Sequence, residues 1–172
     1  MAIRIVALTK AFPGAGYDKN SSRCHMLAHA GISYLRACAS VVGSREALGW
    51  NVHVELPLMH QAIELLLKAH AARVDSDFSP KAYGHRTLSI VRDYADRVPI
   101  FFHLVNDENA TALLTGLEAS WLSVRYAEAA VGYDGPDWQM AEEIAIRLAD
   151  EYFRETGVRL LAHHSKPIGK NA

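Results

Sequence analysis

The chain opens on a β-prone apolar run, Ile3 to Leu8, that lacks strict alternation and is broken by Phe12-Pro13-Gly14-Ala15-Gly16. Residues 1–19 therefore read as a short strand or extended arm followed by a loop. Beyond them the apolar period becomes that of a helix. Asn20-Ser21-Ser22 offers an N-cap, and a small-residue-rich helix is expected from there to about Val42, turning Met26 or Leu27, Ala30, Ile32, Leu35, Ala37 and Val41 inward, with Gly43 as its stop. From Leu56 to about Arg73, the positions Met59, Ala62, Ile63, Leu66, Ala69 and His70 recur at helical spacing, while Leu58, Leu65 and Leu67 spread the apolar surface beyond one face. That breadth marks a central helix, with Pro57 in a first turn where proline is tolerated.

A polar loop, Asp75 to Gly84, precedes a helix from about His85 to Asp96 that buries Leu88, Val91 and Ala95 and ends or bends at Pro99. Ile100 to Val105 is a short apolar run compatible with more than one form. Asp107 can cap a helix from Glu108 to about Glu128, with Leu113, Leu117 and Trp121 at i+4 steps. After the Gly132 to Pro136 loop, Asp137 caps a last helix to Glu155, whose stripe is Trp138, Ala141, Ile144 or Ala145, Leu148 and Tyr152, with Gly157 at its C-cap. The expected fold is all-α: a four-to-five-helix up-and-down bundle over residues 20–158, with an extended N-terminal arm and a polar, basic tail over 159–172.

Composition narrows this picture little. In 172 residues, half are hydrophobic and 22% charged, which suits one globular domain and excludes wholesale disorder. Lys and Arg number 18 against 19 Asp and Glu, so no global field draws the chain to nucleic acid or an anionic membrane, and any RNA contact has to be local. No apolar run approaches the roughly 20 residues that span a bilayer, and the start is too short for a signal sequence. A cytoplasmic protein with no membrane partner is expected. Cys24 and Cys38 fall on one expected helix about 21 Å apart, so they cannot pair within it and read as buried, reduced, small hydrophobes.

Few motifs carry chemistry on their own. Gly14-Ala15-Gly16 lacks the third glycine and the βαβ context of a phosphate loop. His25 and His29 stand i,i+4 beside Cys24, but without an evident third ligand they read as helix-surface histidines, so no metal and no cofactor is expected.

More informative are three segments in order: Gln61-Ala62-Ile63-Glu64-Leu65-Leu66-Leu67-Lys68-Ala69, then Tyr83-Gly84-His85-Arg86-Thr87-Leu88, then Val124-Arg125-Tyr126-Ala127. This order resembles the HEPN family, the higher eukaryote and prokaryote nucleotide-binding domains, over about residues 22–157. In that family a Gln-Ala-x-Glu-x-x-x-Lys-Ala helix precedes a Gly-His-Asp-Leu helix start and an Arg-Tyr-Pro motif. Here Arg86 replaces the Asp and Ala127 the Pro.

The resemblance implies a helical homodimer, and it groups Glu64, Lys68, His85, Arg125 and Tyr126 as one polar network, either satisfied between helices or touching a ligand. It further implies binding of a nucleotide or RNA segment in a groove near Lys68, His85 and Arg125, without catalysis, and a small nucleotidyltransferase as an accompanying partner. Many members of the family are metal-independent endoribonucleases of the toxin or defence kind, with an Arg and a His four to six residues apart. Arg97 and His103 fit that spacing, as do Arg23 with His29 and Arg159 with His164. Such a His can take the 2′-hydroxyl proton or protonate the leaving oxygen, while the Arg stabilises charge on the phosphate. On an unbroken helix Arg97 and His103 stand about 240° apart, so convergence needs a bend at Pro99 or a partner chain. A purely structural dimerisation module is the remaining reading.

Overall fold

A computed structural model describes residues 19–43, 52–125 and 138–157. Among these residues are seven helices and no strand: α1 (Lys19–Gly43), α2 (Val52–Val74), α3 (Pro80–Tyr83), α4 (Thr87–Asp93), α5 (Pro99–Val105), α6 (Glu108–Arg125) and α7 (Trp138–Thr156). The protein is an all-α bundle, as the hydrophobic periodicity implies. The expected arm, the Gly14-Ala15-Gly16 turn and the basic tail lie outside the described residues.

The bundle is organised around α2. Met59, Ala62, Ile63, Leu66, Leu67 and Ala69 are wholly buried, because α1, α4, α6 and α7 all pack on this helix. A helix covered on several sides has no polar stripe, which is why its apolar positions outnumber one face. The packing against α1 is close. A Cβ placed on Gly31 would stand 3.0 Å from the Ala62 carbonyl oxygen and 3.0 Å from Leu66 Cγ, so only glycine lets the two helices approach this far. The buried face of α1 runs through Cys24, Ala28, Ile32, Leu35, Cys38 and Ala39. That corrects the expected face in part: Ile32 and Leu35 are inside and Leu27, of the Met26 or Leu27 alternatives, packs against the core, whereas Met26 is 66% exposed and Ala37 is exposed too. Both cysteines are buried and reduced.

Two proline positions depart from expectation. Because α2 begins at Val52, Pro57 lies inside the helix instead of in its first turn, so the carbonyl four residues earlier loses its usual donor. Pro99 does not end a helix but starts one: Val98 is extended (φ −124°, ψ 105°), as a pre-proline residue prefers, and the apolar run from Ile100 to Val105 becomes α5. The helix expected over 85–96 is accordingly only α4, and the preceding loop contains the short α3, which opens on Pro80.

Of the expected caps, those at Asp107 and Gly157 are present, Asp137 lies outside the described residues, and Asn20-Ser21-Ser22 falls inside α1, which already starts at Lys19. Asp107 Oδ1 accepts from the backbone N–H groups of Asn109 (3.0 Å) and Ala110 (3.2 Å). Gly157, at φ 70°, closes α7 with its N–H on the Phe153 carbonyl. The stripe of α7 is buried as expected, at Ala141, Ile144, Ala145, Leu148 and Tyr152.

Candidate functional site

His60, Glu64 and Lys68 stand at i, i+4 and i+8 along one face of α2, and all three are buried. Buried charges are stable only when paired and hydrogen-bonded. Lys68 Nζ donates to Glu64 Oε1 at 2.6 Å and to the Gly84 carbonyl at 2.6 Å. Gly84 has φ 55° and turns the chain between α3 and α4, a conformation that favours glycine. The turn delivers His85, whose Nδ1 lies 2.8 Å from Glu64 Oε2. A carboxylate oxygen accepts, so Nδ1 carries the hydrogen, in a ring that is 44% exposed.

His60 Nδ1 lies 3.7 Å from the same Oε2, with the His60 and His85 rings 5.9 Å apart. Burial pushes His60 down to about 4. Glu64 and a hydrogen bond with the His85 backbone oppose that shift, while the charges of His85 and Lys68 add to it, so His60 is neutral at pH 7.

Neighbouring elements fix where His85 sits. The first turn of α4 has no side-chain cap of its own. Glu118 of α6 supplies one: its Oε1 accepts from the Leu88 N–H at 2.6 Å and from Thr87 Oγ1 at 3.1 Å. Phe78, Tyr83 and Tyr94 pack ring on ring beside the turn, with Tyr83 donating to Asp93 and Tyr94 to Asp75. Arg86 folds back on the carbonyls of Tyr83 and Ala82. Lys81, His85 and Arg86 are all exposed, which makes this turn a small cationic surface.

Glu64, Lys68 and His85 are thus brought together as expected, with Lys68 turned inward onto the turn. The side chain of Arg125, at the end of α6, and all of Tyr126 lie outside the described residues. Arg97 is not among the residues that line the described cavity beside His103. The Arg97 guanidinium donates to the Val74 carbonyl, sits 3.7 Å from Asp75 and covers the Tyr94 ring at 5.5 Å, which ties the loop after α2 to the end of α4. His103 is exposed on α5 and lines an open cavity of about 490 Å³ between α5 and α7, where its charged neighbours are Arg147, Asp150 and the Arg154–Glu151 ion pair. Arg23 is exposed and His29 half-buried on α1, and Arg159 and His164 lie outside the described residues.

His25 is no plain surface histidine. Its Nδ1 is 2.6 Å from the Tyr152 hydroxyl, and burial lowers its pKa. It belongs to a second network, in which His70 Nε2 donates to the Leu148 carbonyl at 2.9 Å and Nδ1 faces Glu155 at 3.2 Å. Glu155 also takes Arg73 at 2.7 Å.

Two residues escape the sequence reading. His60 is legible in principle, four positions before Glu64 on the same face, but a lone histidine on an apolar helix is more often core. Glu118 carries no local signal, since the donors it caps lie 30 and 31 residues away. Comparison with family models, with curated proteins and with solved structures finds no match to this chain.

Proposed function

We propose that this helical protein binds a nucleotide or RNA segment through its phosphate at the α3–α4 turn, without cleaving it, in keeping with the HEPN resemblance. One observation carries the reading. His85 is a half-exposed imidazole anchored from behind by a buried carboxylate, and exposed Lys81 and Arg86 flank it. An anchored ring loses little freedom on binding, and its exposed side beside the Lys81 and Arg86 charges suits a phosphate. Lys68 acts by holding the turn. The local charge suits a chain with no overall basic excess. The reading includes a cytoplasmic homodimer, for which exposed Met26 and Tyr34 on α1 offer apolar surface, and a small nucleotidyltransferase as a partner.

The test is fluorescence anisotropy with labelled nucleotides and short RNAs. Saturable binding is expected, weakened about tenfold by either His85→Ala or Arg86→Ala, the loss of one charge-assisted hydrogen bond. If the wild-type protein binds none of them saturably, the reading fails.

A second reading, a metal-independent endoribonuclease using His103, draws on the cavity that His103 shares with Arg147 and Arg154. Arg147 offers the charge that the sequence assigns to Arg97, whereas Arg154 is paired with Glu151 in the same cavity. Cleavage of mixed RNA in chelator, abolished by His103→Ala and by Arg147→Ala but kept by Arg97→Ala, supports it. Equal cleavage by the wild type and His103→Ala removes it.

A further inference from the structure

Beyond phosphate binding, the network on α2 has the composition of a metal centre. Two imidazoles from different parts of the chain converge on one carboxylate oxygen, Glu64 Oε2, at 2.8 Å from His85 Nδ1 and 3.7 Å from His60 Nδ1. One ligand atom from each of the three residues lies within 4.8 Å of the others. A first-row divalent cation with bonds of about 2.1 Å holds its ligands roughly 3.0–3.5 Å apart, so the widest gap has to close by up to about 1.5 Å, the His60–Glu64 gap has to close slightly, and the His85–Glu64 hydrogen-bond distance has to open slightly. The other carboxylate oxygen is held by Lys68, which fixes the group in orientation and leaves Oε2 for the cation.

We propose that His60, Glu64 and His85 bind a divalent cation of the zinc or cobalt class, with the remaining coordination positions on the exposed His85 side open to water or a ligand. The donor set points to this class: two neutral nitrogens and one oxygen suit zinc, cobalt or ferrous iron better than magnesium or calcium. As the cation takes His85 Nδ1, the hydrogen there moves to Nε2, so the imidazole stays neutral and presents an N–H outward. The site does not depend on RNA binding, and its readout is separate. The expectation of a metal-free chain rests on local clusters, Cys24 with His25 and His29 and the His163-His164 pair, whereas this constellation joins residues 21 apart in sequence.

The experiment strips the full-length protein with chelator and titrates it with Co²⁺, following visible d–d absorption, then displaces the cobalt with Zn²⁺. The wild type is expected to show one saturable absorbing species that Zn²⁺ removes. His85→Ala, an exposed position, is expected to weaken uptake by about 100-fold with its circular dichroism unchanged. His85→Asn provides a second variant that keeps a donor for Glu64, and it is expected to behave as His85→Ala does. A variant lacking His25 and one lacking His163 and His164 are expected to bind as the wild type does. No saturable cobalt species in the wild type overturns the proposal. So does wild-type affinity in both His85 variants, or loss of the species in either control.

Discussion

Two polar networks sit on α2 less than three turns apart, and they are built in opposite ways. The first takes His60, Glu64 and Lys68 from one helix face and adds His85 from the next turn of chain. The second joins three helices: His70 and Arg73 from α2, the Leu148 carbonyl, Tyr152 and Glu155 from α7, and His25 from α1, with partners as far as 127 residues apart. Their solvation differs as well. Glu64 and Lys68 have side chains only 2% and 8% exposed, against 17% for Glu155 and 24% for Arg73. Water can replace a lost partner in the second network and not in the first, so the two should respond unequally to the same kind of damage.

The largest effect is expected from Glu64→Ala. It leaves the Lys68 ammonium buried without its carboxylate, at a cost of about 3–5 kcal/mol by chemical denaturation. The double variant Glu64→Leu, Lys68→Met should recover most of that loss, and failure to recover any of it would break the assignment of the pair as mainly architectural.

Acid is the next probe. His60 has its folded-state pKa lowered from 6.5 to about 4, so its contribution is present above about pH 6.5 and is lost as the pH falls towards 4, where the unfolded chain binds a proton that the folded chain refuses. In chelated protein this is expected to remove on the order of 3 kcal/mol across that window. His60→Leu should flatten the slope, and an unchanged slope would show that Glu64, Lys68 and His85, which face the ring, have been misjudged.

Glu155→Gln in the second network should cost less, about 1–2 kcal/mol, because its partner Arg73 is already part-solvated. The Glu155 carboxyl is held below its ordinary range: burial raises it, but the His70 hydrogen bond and the Arg73 and His70 charges outweigh that. Its share of stability is therefore present above that range and fades as the pH falls through the folded-state value, below most of the His60 window. The smallest effect is expected from Arg97→Ala. This removes an exposed tether to Val74 and Asp75 and should change stability by less than about 1 kcal/mol and RNA binding not at all. Loss of RNA binding in that variant would restore Arg97 as a site residue.

The chain by itself determined the periodic helices and, in the first network, the Glu64–Lys68 pair. The i+3 and i+4 recurrence of apolar positions in α2, α6 and α7, the Asp107 cap and the Gly157 stop are local features, and local physics settles them. Glu64 and Lys68 were readable because two charges on an otherwise apolar helix must find each other one turn apart. Only the tertiary structure decided the rest. The α1 face took its phase from where Gly31 lets α2 approach, and Pro99 became a helix start because α5 had core to bury at Ile100, Phe101 and Leu104. Glu118 reached α4, and His70 reached α7, across 30 and 78 residues respectively. Pairings at such range come from the packing of whole helices, which no local pattern of residues records.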